Sequence, residues 1–136
     1  MKTLKELTIV LCFISLICLM TSCEKETNAA ELFLISVDSI KLPEKILANT
    51  SFDVLCFGTI AVDGCKSFSH FETEKLYDVI TVETWGKLYK NSLACPAVMV
   101  YLEGEKLKLK LEIKGTYLLR MKQKDGTYLE SQLIIE

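Results

Sequence analysis

The residues best suited to chemistry in this chain are one histidine and six cysteines. His70 follows Cys65 by five positions, and a cysteine nucleophile needs a neighbouring base, most often histidine. A Cys65–His70 pair would therefore be the starting point for covalent catalysis. A disulfide at Cys65 would remove the nucleophile, however, and a half-exposed histidine on a strand explains His70 more simply. We expect no catalytic residue and predict that the chain is not an enzyme.

The same side chains could in principle bind zinc. The ligands would be Cys56, Cys65, His70 and Cys95, with eight, four and 24 residues between successive members. Structural zinc sites usually contain a close pair of cysteines, and this spacing provides none. We expect no metal and no cofactor.

Glu72 and Glu74 are the acids whose spacing could serve hydrolysis. Residues two apart on a strand share a face, and glycoside hydrolysis uses two carboxyl groups about 5 to 10 Å apart. Alternating acids are also common on the solvated face of a sheet. The six glycines are scattered singly, so the sequence contains no phosphate-binding glycine loop. A small hydrolase is therefore the weakest of the functional hypotheses.

Most of the chain after residue 31 alternates between apolar and polar residues, as strands do. The clearest run is Lys106 to Lys114, where four aliphatic residues would face the core and five charged residues the solvent. We predict an edge strand from Leu32 that is stopped or bent by Pro43, and a turn at Glu103-Gly104-Glu105. In all, seven or eight short strands predict an all-β sandwich over residues 32–136.

Gly115-Thr116-Tyr117, at the start of the penultimate predicted strand, resembles the tyrosine corner of immunoglobulin-like domains. The resemblance implies a single immunoglobulin-like β-sandwich. The cysteines and Trp85 do not occupy the usual immunoglobulin positions. A transthyretin-like sandwich or a curled sheet therefore stays open.

The first 22 residues are organised like a secretory signal peptide. A short cationic start precedes the apolar run Leu7 to Met20, which is shorter than the roughly 20 residues that span a bilayer. Thr21-Ser22-Cys23 then resembles the lipobox of bacterial lipoproteins. The resemblance implies that residues 1–22 are removed and that Cys23 is acylated with fatty acids such as palmitate. Residues 23–31 would then form the lipidated cysteine and a short tether.

Glu24-Lys25-Glu26 resembles the charged export signal of surface lipoproteins of the Bacteroidota. It implies a lipid anchor in the outer membrane with the domain on the cell surface, and the periplasmic face stays open. Without the signal peptide, 14 basic and 17 acidic residues remain, and the two signs are intermixed. This balance predicts no basic patch of the kind that binds nucleic acid. The predicted partners are therefore the membrane and an unknown protein or glycan.

Export to an oxidising compartment leaves three cysteines to be assigned. Cys56, Cys65 and Cys95 allow one disulfide and one leftover thiol. We predict a Cys65–Cys95 disulfide, because Cys65 follows a turn and Cys95 is expected to start a strand. Cys56 lies inside the apolar run Val54 to Phe57 and is expected to pack as a buried thiol.

Residues 85–94 form the least regular stretch of the mature chain and are predicted to be a loop. Trp85, Tyr89 and Asn91 are its candidate binding residues. Trp85 and Tyr89 could also form an aromatic platform with Tyr77 and Tyr101, because exposed aromatic residues stack on sugars and anchor protein partners. Trp85 could instead fill the open end of the core. Asp38-Ser39-Ile40 resembles the O-glycosylation motif of the Bacteroidota, which makes Ser39 a candidate glycosylation site.

These features together predict a membrane-anchored, surface-exposed accessory module that binds a protein or a glycan. The partner is expected at the loops Val62 to Lys66 and Trp85 to Ala94, which the predicted disulfide links. The alternative is an envelope protease inhibitor of the β-sandwich type, which would present these two loops to the cleft of a protease. A fold alone does not choose between these functions, since sandwiches serve many.

Overall fold

The computed structural model describes residues 30–90 and 94–136, and within them the chain is all-β, with eight strands in two sheets. Cys23, most of the predicted tether and Asn91 lie outside these residues. In the described part, no helix is long and apolar enough to span a bilayer. The strands are β1 (Glu31–Leu34), β2 (Ser39–Lys41), β3 (Ser51–Ala61), β4 (Lys66–Leu76), β5 (Val79–Leu88), β6 (Val100–Lys110), β7 (Gly115–Lys122) and β8 (Tyr128–Ile135).

The larger sheet has five strands arranged around β5. On one side of β5 lies β4, which pairs with it antiparallel along the whole hairpin. On the other side, β1 pairs with Trp85–Leu88 and β7 pairs in parallel with Val79–Val82, so β1 and β7 follow one another along the same edge of β5. Strand β8 extends this sheet beyond β7. The smaller sheet has the order β2-β3-β6 and is antiparallel throughout.

The core forms between the two sheets, where the apolar members of each alternating strand meet. Strand β5 shows this clearly, since Ile80, Val82 and Thr84 are buried while their neighbours are more exposed. Strand β6 contributes Leu107 and Leu109 in the same way. The prediction of a strand reaching Lys114 was too long. Strand β6 ends at Lys110, and the fourth aliphatic residue of the run, Ile113, is 70% exposed in the connection to β7.

Glu103-Gly104-Glu105 does not form the predicted turn but lies inside β6. The register between β3 and β6 shifts there, because Phe57 pairs with Glu103 and Cys56 pairs with Glu105. Gly104 is the extra residue of this bulge and has a φ of 94°, which glycine adopts without steric cost. Gly104 therefore marks a bend within β6. The two strands predicted on either side of this glycine form that single strand.

The segment between β1 and β2 crosses from the larger sheet to the smaller one. The Ile35 amide donates to the carbonyl of Thr84 in the first sheet (2.7 Å), and the Asp38 amide donates to the carbonyl of Phe57 in the second (2.8 Å). Gly58 permits the crossing, since a Cβ there would lie 2.9 Å from the carbonyl oxygen of Ser36. The predicted edge strand is thus divided before Pro43, and its halves join both sheets.

The two ends of the sandwich differ in construction. At one end, which we call the disulfide end, Val62–Lys66 and Ala94–Met99 are joined by the Cys65–Cys95 disulfide, which confirms that prediction. At the other, the hairpin end, β4 turns into β5 through Tyr77 and Asp78. Cys56 is buried, as expected, and forms no disulfide within residues 30–90 and 94–136. Cys95 does not start a strand, since β6 begins only at Val100.

Tyr117 forms the hydrogen bond that a tyrosine corner requires. Its hydroxyl donates to the backbone carbonyl of Ile113, four residues upstream, at 2.9 Å. The ring is buried in the core, so this bond fixes the connection between β6 and β7 against the sandwich.

Candidate binding site

The outer face of the five-stranded sheet carries the most concentrated set of polar and aromatic side chains. Because Ile80, Val82 and Thr84 face the core, the alternate residues of β5 must face outward. The strand register places outward residues of the neighbouring strands beside them. One row contains Glu72, Glu83, Lys122 and Tyr128, and the next contains Glu74, Thr81, Arg120 and Glu130.

A shallow depression, which we call the outer trough, runs across these rows. Its walls are Glu72 and Glu74 on β4 and Arg120 and Lys122 on β7, and its floor includes Thr81 on β5. Two adjoining cavities of about 380 Å³ and 210 Å³ make up the trough and share Glu74, Thr81 and Glu83. It forms because the short threonine side chain lies between longer ones on both sides. Tyr77 and Tyr128 also border the larger cavity.

Two glutamates occupy opposite positions on β4 and β5 at the acidic side of the trough. Glu72 lies directly opposite Glu83 in the β4–β5 pair, and like charges in that position destabilise a sheet. Lys122 donates to Glu83 at 2.5 Å, and the hydrogen bond and charge of Glu83 raise the pKa of the Lys122 ammonium. Glu72 has only a long contact, of 3.4 Å, with Nε2 of His70. Its carboxylate is therefore well placed to accept a hydrogen bond from a ligand.

The opposite wall presents a guanidinium group against an aromatic ring. The Arg120 guanidinium carbon lies 4.8 Å from the centroid of Tyr128, within range for a cation–π interaction. The Arg120 Nε atom is buried and has no hydrogen-bond partner in the described residues. Buried polar atoms without a partner are uncommon in folded proteins, and each needs an explanation.

Tyr77 stands at the hairpin end of the trough in a strained backbone conformation. Leu76 pairs with Val79, so Tyr77 and Asp78 form a two-residue turn, and Tyr77 has a φ of 55°. Bulky residues seldom adopt a positive φ, and glycine is the usual choice at such a position. Tyr77 is nevertheless 86% exposed, so its packing in the described fold does not offset the backbone strain.

Trp85 belongs to a strand, which corrects the predicted loop over residues 85–94. Strand β5 continues to Leu88, and Trp85 pairs with His70 and with Leu34. It is the next outward residue after Glu83, so it adjoins the outer trough. Its indole Nε1 is buried without a hydrogen-bond partner in the described part of the chain.

Tyr89 follows β5 at the disulfide end, and its amide donates to the carbonyl of Cys65 at 3.0 Å. The Tyr89 ring is exposed, and the nearby Lys87 ammonium, whose Nζ lies 5.4 Å from the ring centroid, is the main cause that lowers the pKa of the Tyr89 hydroxyl. Tyr89 and Trp85 are thus separated along β5, and the described structure does not gather them in one loop. Asn91 lies outside the described residues, so its place in a site stays a prediction.

The structure removes the nucleophile from the Cys65–His70 pair, because Cys65 is oxidised in the disulfide. His70 instead contacts Ser69 Oγ through Nδ1 (3.0 Å) and Glu72 through Nε2. Cys65 and Cys95 are bonded to each other, so neither of them can bind zinc as a thiolate. The predicted zinc ligand set is therefore incomplete. Burial, followed by the charge of Glu105, raises the pKa of the remaining thiol, Cys56, to about 12.

Ser39 is exposed at the start of β2, an edge strand of the smaller sheet. It borders a shallow cavity of about 520 Å³ on the outer face of that sheet, beside Phe57 and Tyr101. Its hydroxyl is accessible on this surface, and its glycosylation stays a prediction.

Comparison of the chain with protein-family models, with curated proteins and with solved structures gave no match. The functional argument therefore depends on the geometry of the chain itself. The outer trough went unrecognised in the sequence because its two walls are far apart along the chain. Lys122 and Glu83, for example, are 39 residues apart. The signal that could have indicated it was the outward alternation of Glu72 and Glu74 with Thr81 and Glu83.

Proposed function

We propose that this chain is a lipid-anchored, surface-exposed lipoprotein whose β-sandwich binds a protein or glycan partner in the outer trough. The observation that carries the proposal is the convergence of unfavourable features on one face. The Glu72–Glu83 opposition, the unpartnered Arg120 Nε and the strained Tyr77 all border the same depression. Proteins depart from the rules of stable folding mainly at functional sites.

The trough has the chemistry of a binding surface. Carboxylates on one wall accept hydrogen bonds, and the cations on the other donate them. The exposed rings of Tyr77 and Tyr128 can stack on a sugar or pack against an apolar side chain. A partner rich in hydroxyl groups, or one that carries both charges, would match both walls. The function proposed is binding, and no catalytic step is assigned to these residues.

The anchor and the location are inferred from the sequence. The lipobox-like Thr21-Ser22-Cys23 supports acylation of Cys23, and Glu24-Lys25-Glu26 supports display from the outer membrane. The all-β domain with one disulfide is compatible with an oxidising location. The Tyr117 hydrogen bond supports an immunoglobulin-like type of sandwich. The Cys65–Cys95 disulfide differs from the immunoglobulin pattern, because it joins two segments at one end of the domain.

Site-specific photo-crosslinking in intact cells tests this proposal. A photoreactive residue at Tyr77 or Tyr128 should capture the partner, whereas one at Tyr101, on the other sheet, should not. Mass spectrometry of the adduct then distinguishes a protein from a glycan. Equal capture from Tyr101 would mean that the trough is not the site.

A matched pair of charge reversals provides the quantitative control. Glu74→Lys changes the acidic wall, and Glu103→Lys makes the same change on the outer face of the smaller sheet. We expect Glu74→Lys to weaken binding of the captured partner roughly tenfold or more, which corresponds to one hydrogen bond to a charged group. Glu103→Lys should leave the affinity unchanged. Equal effects from both variants would indicate non-specific electrostatics.

A second function is favoured by one observation, the exposed Leu76-Tyr77 tip of the β4–β5 hairpin. The carbonyl of Asp78 accepts a hydrogen bond from Leu118 at 2.8 Å, so the tip is held against β7. A rigid apolar tip of this kind could enter the cleft of an envelope protease. Inhibition of a protease panel by the wild-type chain, with loss of inhibition in Tyr77→Gly, would favour this function over an adhesive one.

A further inference from the structure

The chain enters the folded domain at the disulfide end. Strand β1 begins at Glu31, which pairs with Leu88, the last residue of β5. Glu31 also forms an ion pair with Lys90 at 3.0 Å, just beyond the end of β5. The tether therefore leaves the domain beside the disulfide, and the β4–β5 turn lies at the opposite end.

The length of the tether keeps this end near the membrane. Seven peptide units separate Cys23 from Ala30, and they span at most about 25 Å when fully extended. Strand β4 has 11 residues, and a strand of that length measures about 36 Å. The tether is thus shorter than the domain that it carries.

The disulfide end exposes an apolar surface. Val62 is 69% exposed, and Val98 and Met99 are about half exposed. Val62 and Met99 directly follow and precede Ala61 and Val100, which are paired residues, so they lie on adjacent segments. We call Val62, Pro96, Val98 and Met99 the apolar foot.

The apolar foot is rigid and carries little net charge. The amide of Gly64 donates to the carbonyl of Pro96 at 2.9 Å, and the disulfide joins the same two segments. Asp63, the one acid within Val62–Lys66 and Ala94–Met99, is paired with Lys66 at 2.9 Å. A rigid, charge-paired surface loses little conformational freedom and needs little desolvation when it enters a lipid interface.

From this placement, we propose that the apolar foot rests in the interfacial layer of the membrane that holds the lipid anchor. The inference depends on the proposed acylation of Cys23. Contact of the foot with lipid directs β4 and β5 away from the membrane and carries the Tyr77 end of the outer trough outward. It also makes Tyr89 a membrane-proximal residue and not part of the partner site.

Tryptophan quenching by brominated lipids tests the inference on the full-length, acylated chain. Trp85 is the single tryptophan, so Trp85→Phe gives a background without signal. Met99→Trp and Val62→Trp place probes in the foot, and Ile113→Trp places a matched exposed probe at the other end. The vesicles contain phosphatidylethanolamine and phosphatidylglycerol, with bromine near the top of the acyl chains.

We expect both foot probes to shift to shorter wavelength and lose fluorescence in brominated vesicles, and Ile113→Trp to keep its emission. Two foot probes are used so that a folding defect in one variant does not decide the result. Flotation with the vesicles reports the anchor separately. If the chain floats but the foot probes are not quenched, or if the probe at residue 113 is quenched equally, the proposed lipid contact of the foot is wrong and the anchor is unaffected. A chain that does not float overturns the anchor as well.

Discussion

Replacing Tyr77 by glycine is expected to stabilise the domain while it weakens partner binding. A non-glycine residue in the left-handed region costs about 1–2 kcal/mol, and Tyr77 has a φ of 55°. Glycine removes that cost but adds about 0.5–1 kcal/mol of backbone entropy. Because Tyr77 is 86% exposed, removal of its ring loses little buried area. The net expectation is a gain of about 0.5–1 kcal/mol in the free energy of unfolding.

Urea denaturation measures this gain as an increase in the midpoint with an unchanged slope. Tyr77→Ala is the matched control, since it removes the ring but keeps the backbone cost. Tyr77→Gly should therefore be more stable than both wild type and Tyr77→Ala. The reasoning is wrong if Tyr77→Gly is the least stable of the three, because the ring would then support the fold.

The partner assay completes the test. Both Tyr77 variants should lose affinity for the crosslinked partner, although one of them is more stable than wild type. That combination would separate a functional role of Tyr77 from a structural one, as expected where stability and activity compete. Unchanged affinity in both variants would remove Tyr77 from the site.

Two further predictions concern the cysteines. Replacing Cys65 and Cys95 by serine opens a 30-residue loop and should lower the free energy of unfolding by roughly 3.5 kcal/mol in urea titrations. A loss below about 1 kcal/mol would contradict the chain-entropy explanation. Burial raises the pKa of Cys56 to about 12 from 9.0, so the folded thiol keeps its proton where the unfolded thiol loses it. Its contribution to stability is present below pH 9.0 and declines as the pH rises towards about 12, and the alkaline loss of stability should be smaller in Cys56→Ala.

The strands could be predicted because each is encoded by a local alternation. The alternation predicts a last strand over Tyr128 to Ile135, which matches β8 at both ends, and a strand over Phe52 to Val62, which is β3 shifted by one residue. The local sequence pattern gave wrong predictions where tertiary contacts determine the backbone conformation. Glu103-Gly104-Glu105 has the composition of a turn, but pairing with Phe57 and Cys56 holds it in β6 as a bulge.

The candidate site could not be predicted for a similar reason. The sequence indicates that Glu72 and Glu74 share a face, but it does not indicate which strand lies beside β5. The parallel pairing of β5 with β7, which brings Arg120 next to Thr81, joins segments about 40 residues apart. Trp85 was assigned to a loop because its neighbours include Gly86. That glycine instead leaves room for the ring of Phe33, whose nearest atom would lie 2.4 Å from a Cβ at residue 86.

The crossing of the N-terminal segment between the sheets determines how the domain would bear mechanical load. A pull on Ala30 away from the disulfide end acts along the axis of β1, whose hydrogen bonds to β5 are perpendicular to that axis. Those bonds are then sheared together and are not peeled apart one at a time. Beyond them, the Ile35 and Asp38 amides fasten the same segment to both sheets in turn. A pull on the N-terminus thus loads the β1–β5 hydrogen bonds in shear, which would suit the proposed display of the domain on a lipid anchor.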